Sequence, residues 1–169
     1  MLEIVQLGDP VLRAEAAPVA DIAALAELIG QMRDTMRAAP GVGLAAPQIG
    51  ESLQLAVIED TVTDDSRERA PVPFHVIANP TLTVVGDELV EAYEGCLSFK
   101  GFIMKVKRAR RVRVEALDET GRSRVIEASG WYARILQHEI DHLRGIVCCD
   151  RMDSRSLATV ENFGRFTTR

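Results

Sequence analysis

Between residues 21 and 38, Ile22, Leu25, Leu28, Ile29, Met32 and Met36 recur at helical spacing. The pattern predicts an amphipathic helix with Asp21 as its N-cap and Pro40-Gly41 as its stop. The spacing then changes. Residues 53–59 (LQLAVIE) and 74–78 are short branched apolar runs that read as strands, and the polar, proline-bearing stretch 61–73 reads as a surface loop. Residues 81–91 read as a strand pair around Gly86, and 111–117 with 122–128 as a hairpin about Asp118-Glu119-Thr120-Gly121. Helical spacing returns over 131–144, opened by Gly130 and closed by Gly145. Residues 146–149 read as a strand, and Asp153 or Ser154 caps a short last helix ending near Phe163. Strands in runs followed by a helix predict an α+β fold, antiparallel strands around a buried helix, in one domain over 1–169.

The bulk numbers narrow the class. A 169-residue chain with 47% hydrophobic and 27% charged residues is ordinary for a globular protein. A net charge of −5 argues against a dedicated nucleic-acid binder. The basic run at 105–113 (KVKRARRVR) alternates with valines, as a strand or hairpin with a solvated charged face would. The N-terminus has no basic start followed by a long apolar run, and no stretch is apolar enough to span a membrane, so a cytoplasmic protein is expected. Three cysteines, Cys96, Cys148 and Cys149, do not form a disulfide framework, and at least one needs another explanation.

The sharpest chemical signal is His138-Glu139-Ile140-Asp141-His142. Residues four apart share a helix face, so both imidazoles can reach one metal ion, while Glu139 meets a water in the ion's open position. Chance HExxH matches occur on solvated helices. Here Ala133, Ile135, Leu136, Ile140 and Leu143 make the helix apolar nearly all round, hence buried, and buried histidines without partners are costly. A catalytic metal needs a third protein ligand. His75 reads as a structural histidine. Cys96 is the better candidate, although a free cysteine is most often a small buried hydrophobe.

Three motifs in order settle the preference: GVGLAAPQIG at 41–50, EGCLS at 94–98 and QHEIDHLRG at 137–145. With GDPVLR near the start and the DETG turn, they resemble the peptide deformylase family over nearly the whole chain. The resemblance implies Cys96, His138 and His142 as metal ligands and Glu139 as the acid/base. It implies Gln48 and the Leu97 N–H as oxyanion donors, and Glu94 with Arg108 as a supporting ion pair. It further implies one divalent ion, Fe2+ in the cell, with Zn2+, Ni2+ or Co2+ able to occupy the site. The substrates implied are N-formyl-methionyl nascent peptides; a monomer, in transient proximity to the ribosome, is expected. Two departures stand beside the expected substrate groove. Phe99-Lys100-Gly101 replaces a small apolar residue with Pro-Gly, and Val106-Lys107-Arg108 replaces VPR.

Val42 and Ile135, with Trp131, are candidates for a methionine pocket, though each could equally be plain core. Gly43 and Gly95 suit close approach of an extended substrate paired in β fashion, as well as ordinary turns. Two rival readings differ in testable ways. A metallopeptidase of the wider HExxH kind would recruit a third ligand downstream, where Glu161 is the only glutamate. A non-catalytic binding protein would have no need of Glu139.

Overall fold

The computed structural model describes residues 1–167; Thr168 and Arg169, the end of the expected 1–169 domain, lie outside them. Helix α1 spans Ala26–Ala38 and α2 spans Gly130–Leu143, with a short α3 at Val160–Phe166. The strands are β1 Gly43–Ala45, β2 Leu55–Asp60, β3 Val72–Val84, β4 Leu89–Gly95, β5 Phe102–Ala109, β6 Arg111–Leu117, β7 Ser123–Ser129 and β8 Ala158–Thr159. They form two antiparallel sheets, one in the order β1-β2-β3-β6-β7 and one in the order β4-β5-β8.

The continuous apolar runs of β2 and β3 follow from burial on both faces of the larger sheet. Leu55, Val57 and Val76 point into a cluster with Met32 and Met36 of α1. Ala56, Ile58 and Ile77 alternate to the other face, against Ile135, Leu136 and Ile140 of α2. Met32 and Met36 are fully buried; truncating such a side chain to alanine costs about 2–5 kcal/mol. Helix α2 touches strands of both sheets. Gly145 ends it at φ 70°, where the chain passes so close to the Arg13 carbonyl that an added Cβ would lie 2.6 Å from it.

Several sequence expectations need correction. Asp21 does accept from the N–H groups of Ala23 and Ala24, but it opens a 3-10 turn, and the α-helix begins at Ala26. The expected strand pair around Gly86 is absent: β3 pairs with β6 and β4 with β5, so Gly86 passes the chain from one sheet to the other. Residues 74–84 are one strand, broken in register where Asn79 adopts φ 49° and clamps Val19 through both its amide atoms. Residues 148–150 form a 3-10 turn, not a strand, and the last helix is capped by Thr159, while Asp153 caps a preceding turn. The basic run is not uniformly solvated: Arg108 is buried.

His75 donates from Nδ1 to the Pro73 carbonyl (2.9 Å), and its Nε2 pairs with the Tyr132 hydroxyl (2.9 Å), an arrangement that the neutral ring satisfies. Burial accordingly lowers its pKa. The unfolded chain therefore takes up a proton that the folded chain resists. The stability this gives is complete above the ordinary histidine pKa of about 6.5 and is lost as pH falls below it toward the depressed folded value. We expect His75→Gln to flatten the loss of unfolding free energy between pH 7.5 and 5.5, by up to about 1.4 kcal/mol per pH unit where the ring titrates. Urea titrations at the two pH values check this; parallel losses in both proteins would refute it.

Candidate metal centre and groove

Helix α2 carries His138 and His142 one turn apart, with ring centroids 5.0 Å from each other. Cys96 follows the end of β4. The donor atoms of Cys96, His138 and His142 all lie within 4.8 Å of one another. Cys96 Sγ is 3.3 Å from His142 Nε2, close to the separation of about 3.5 Å that zinc-type bond lengths give a sulfur and a nitrogen in a tetrahedral set. His138 presents Nδ1 to Glu94 Oε1 (3.3 Å), which leaves Nε2 for the cluster. His75 stands outside it.

Glu139 is buried beside this cluster, and its Oε2 has no hydrogen-bond partner. Burial pushes its pKa up to about 7. Such an orphaned carboxyl oxygen fits a water held by an ion. So does the donor set itself, one thiol and two imidazoles. Burial opposes a charged His138, but the hydrogen bond and charge of Glu94 outweigh it and raise the imidazole to about 9. An ion on Nε2 must therefore displace a proton. Burial and the neighbouring Cys148 thiol both push the Cys96 thiol up.

Glu94 organises the surroundings. Arg108 grips it with Nε (3.0 Å) and Nη2 (2.7 Å), and Arg134 adds Nη1 at 3.1 Å. Burial disfavours the Glu94 carboxylate, yet His138 and Arg108 hold it well below the usual range. Arg108 continues to Asp141 (2.8 Å), which Arg151 grips in turn at 2.7 and 2.8 Å. Sequence reasoning identified Glu94 and Arg108 but missed Arg134, Asp141 and Arg151. Arg134 lies four residues before His138, a helical spacing that could have placed it on the same face.

Gln48 is buried in a fixed orientation. Its Oε1 accepts the Ala45 N–H (2.9 Å), so its Nε2 faces Cys96 Sγ (3.6 Å) and Ser98 Oγ (3.3 Å). The Leu97 carbonyl accepts from Gln6 (3.0 Å), while its N–H donates to none of the described residues. A groove of about 850 Å³ passes these groups. All the candidate site residues line it except His142 and Arg108, which stand behind. Val42, Ile135 and Trp131 form part of its apolar wall, and Gly43 and Gly95 part of its backbone. Gly43 leaves room for this carboxyl: a Cβ at this position would lie 2.2 Å from Glu139 Oε1, so the side chain would have to move. Cys96 and Cys149 both pack, partly buried, against the cluster that holds Cys148, but of the three only Cys96 lies with His138 and His142.

The family model described as polypeptide deformylase matches residues 1–158. Among curated proteins, peptide deformylase 3 of Streptomyces avermitilis is 48% identical over 168 residues, covering 95% of this chain and 75% of its own length. Among solved structures, the peptide deformylase of Thermus thermophilus is 46% identical with a TM-score of 0.79, covering 92% of this chain and 87% of that one. A peptide deformylase of Synechococcus elongatus in complex with actinonin is 40% identical with a TM-score of 0.82, covering 91% and 80%. A family match over nearly the whole length, with relatives near half identity, shows that this chain belongs to the peptide deformylase family.

Proposed function

We propose that Cys96, His138 and His142 hold one divalent metal ion, and that Glu139, Gln48 and the Leu97 N–H act on a formylated peptide lying in the groove. As a peptide deformylase, the chain hydrolyses the N-formyl group of an N-terminal formyl-methionine and releases formate. The observation that carries the assignment of roles is the buried, partnerless Glu139 Oε2 facing the same groove as Cys96 and His138.

When bound, the ion supplies a Lewis acid that makes water nucleophilic near neutral pH. Glu139 takes a proton from the attacking water and later returns it to the leaving amine; a carboxyl near pKa 7 suits both transfers. Gln48 and the Leu97 N–H are the donors for charge developing on the formyl oxygen, each worth about 3 kcal/mol. The Ala45 N–H keeps the Gln48 amide pointing the right way.

β1 and β4 are each the outer strand of their sheet, so the groove between them offers unpaired backbone to an extended peptide. Val42 and Ile135, with Trp131, supply the apolar surface for methionine. The helix bearing HExxH is the centre about which both sheets are arranged, in a single catalytic domain. Among the described residues no helix is long and apolar enough to cross a membrane. The thiolate–imidazole set suits late divalent ions, and we assign Fe2+ in the cell, with Zn2+, Ni2+ or Co2+ able to replace it. The partners in this reading are N-formyl-methionyl nascent chains in the cytoplasm, met in transient proximity to the ribosome by a monomer.

Formate release from formyl-Met-Ala-Ser by anaerobically prepared iron enzyme tests the proposal; a metal-loaded protein that released none would overturn it. Glu139→Gln keeps the metal and loses about 10²–10⁴-fold in kcat, because glutamine cannot accept the proton; near-normal turnover would remove the assigned role. Gly43→Ala should lower kcat at least tenfold while leaving metal content intact, since the new methyl group must displace Glu139. Wild-type turnover in that variant would show that the carboxyl need not stand where it does. Cys96→Ser should lose most of the metal, whereas Cys148→Ser and Cys149→Ser keep theirs. Elemental analysis of the three proteins decides, and loss from either downstream variant would refute the ligand set.

A further inference from the structure

The groove wall carries two unlike sets of residues. In one, charged groups lie buried or nearly so and, apart from Glu139, are bonded to one another: Glu94 to Arg134 and to His138. In the other, Leu2, Ile4, Phe102 and Val160 stand together with Lys100. Lys100 is exposed and forms no ion pair among the described residues. Among the described residues it is therefore the one exposed charged side chain in the groove wall.

The turn that carries Lys100 is held from several sides. The Lys100 N–H donates to Gln6 Oε1 (3.3 Å), and the flanking Phe99 and Phe102 rings stack with centroids 4.9 Å apart. Phe99 packs into the buried cluster of Met104, Val106 and Cys148. The Val160 N–H donates to the Gly101 carbonyl (3.0 Å), which docks α3 against the turn. Glu161, the next residue, is exposed and pairs with no cation among the described residues. The backbone of Lys100 is thus positioned, while its ammonium is left free for a ligand. This is also where the chain departs from the small apolar–Pro–Gly pattern of its family.

Resting on the deformylase reading, we propose that Lys100 is a specificity-determining residue that favours substrates with an acidic side chain at the third position, two residues after the formyl-methionine. A peptide whose methionine lies against Val42 and Ile135 runs on extended, advancing about 3.3 Å per residue. In this proposal its third residue meets Lys100, an exposed cationic side chain among apolar groove residues. A carboxylate there gains the ammonium, and a lysine is repelled. The pair is solvent-exposed, so its effect is modest and falls with salt.

The test uses the iron enzyme and formyl-Met-Ala-X peptides with X as Asp, Asn or Lys. The peptides are amidated at the C-terminus so that the terminal carboxylate does not supply the charge. We expect kcat/KM to fall about two- to fivefold from Asp to Asn and again from Asn to Lys, mainly through KM, and the spread to collapse in 0.5 M NaCl. Lys100→Gln should bring the three peptides together, and Lys100→Glu should invert their order. A spread that persists unchanged in Lys100→Gln, or no spread in the wild type, overturns the proposal. No formate from any of the three peptides would instead overturn the deformylase reading on which it rests.

Discussion

The structure depends on one buried carboxylate. Glu94 sits at the end of β4, almost without solvent, and a bare charge there would be strongly unfavourable. Three groups from two elements make it tolerable: Arg108 of β5, and Arg134 and His138 of α2. Arg108 in turn is shared with Asp141, one residue before His142. Removing one member of such a buried network leaves an uncompensated charge and costs about 3–5 kcal/mol. The ion pairs therefore couple the smaller sheet to the helix, and they orient His138 as a by-product of satisfying Glu94. A histidine whose Nδ1 is bound to a carboxylate can offer only Nε2 to the cluster, which fixes ring and tautomer together.

Against that closed network, the polar groups left open stand out. Glu139 Oε2 and His142 Nδ1 are buried without partners, and each such group costs about 1–3 kcal/mol. The surrounding fold holds them in place because β1 presses on Glu139 from one side, with a glycine where any side chain would collide. The same loop supplies Gln48, whose orientation the Ala45 N–H sets. Local cost at these atoms beside a closed network of ion pairs is the pattern expected where a chain has been shaped for chemistry.

Which parts were legible in the sequence follows from how local their signals are. The HExxH helix was readable because one helix face carries both histidines, and the hairpin of β6 and β7 because its turn residues are adjacent to the strands they join. Cys96 could be chosen only through the motif around it, since its neighbourhood in space is made by α2. The pairing of β3 and β4 was misread because alternation around a glycine suggests a hairpin, whereas partners in two separate sheets are a tertiary matter. Arg108 looked like part of a solvated face because period-2 alternation does not reveal that a strand is covered on both sides. Residues 146–149 are apolar enough for a strand, but the cap formed by Asp150 on the Val147 N–H winds them into a turn.

The division between chemistry and selection is itself structural. The groups that would bind the ion and move the proton belong to α2, β1 and the end of β4, where packing on both sides allows little change of volume or orientation. The turn at 99–102 is different in kind. Its two aromatic rings anchor it, and Lys100 between them is exposed. In the proposed reading, a substitution there would change the charge met by a passing peptide and leave Glu94, Glu139 and the cluster of Cys96, His138 and His142 in place. Selectivity could then diverge at the exposed rim while the buried groups stay fixed, because an exposed turn tolerates change that a packed interior does not.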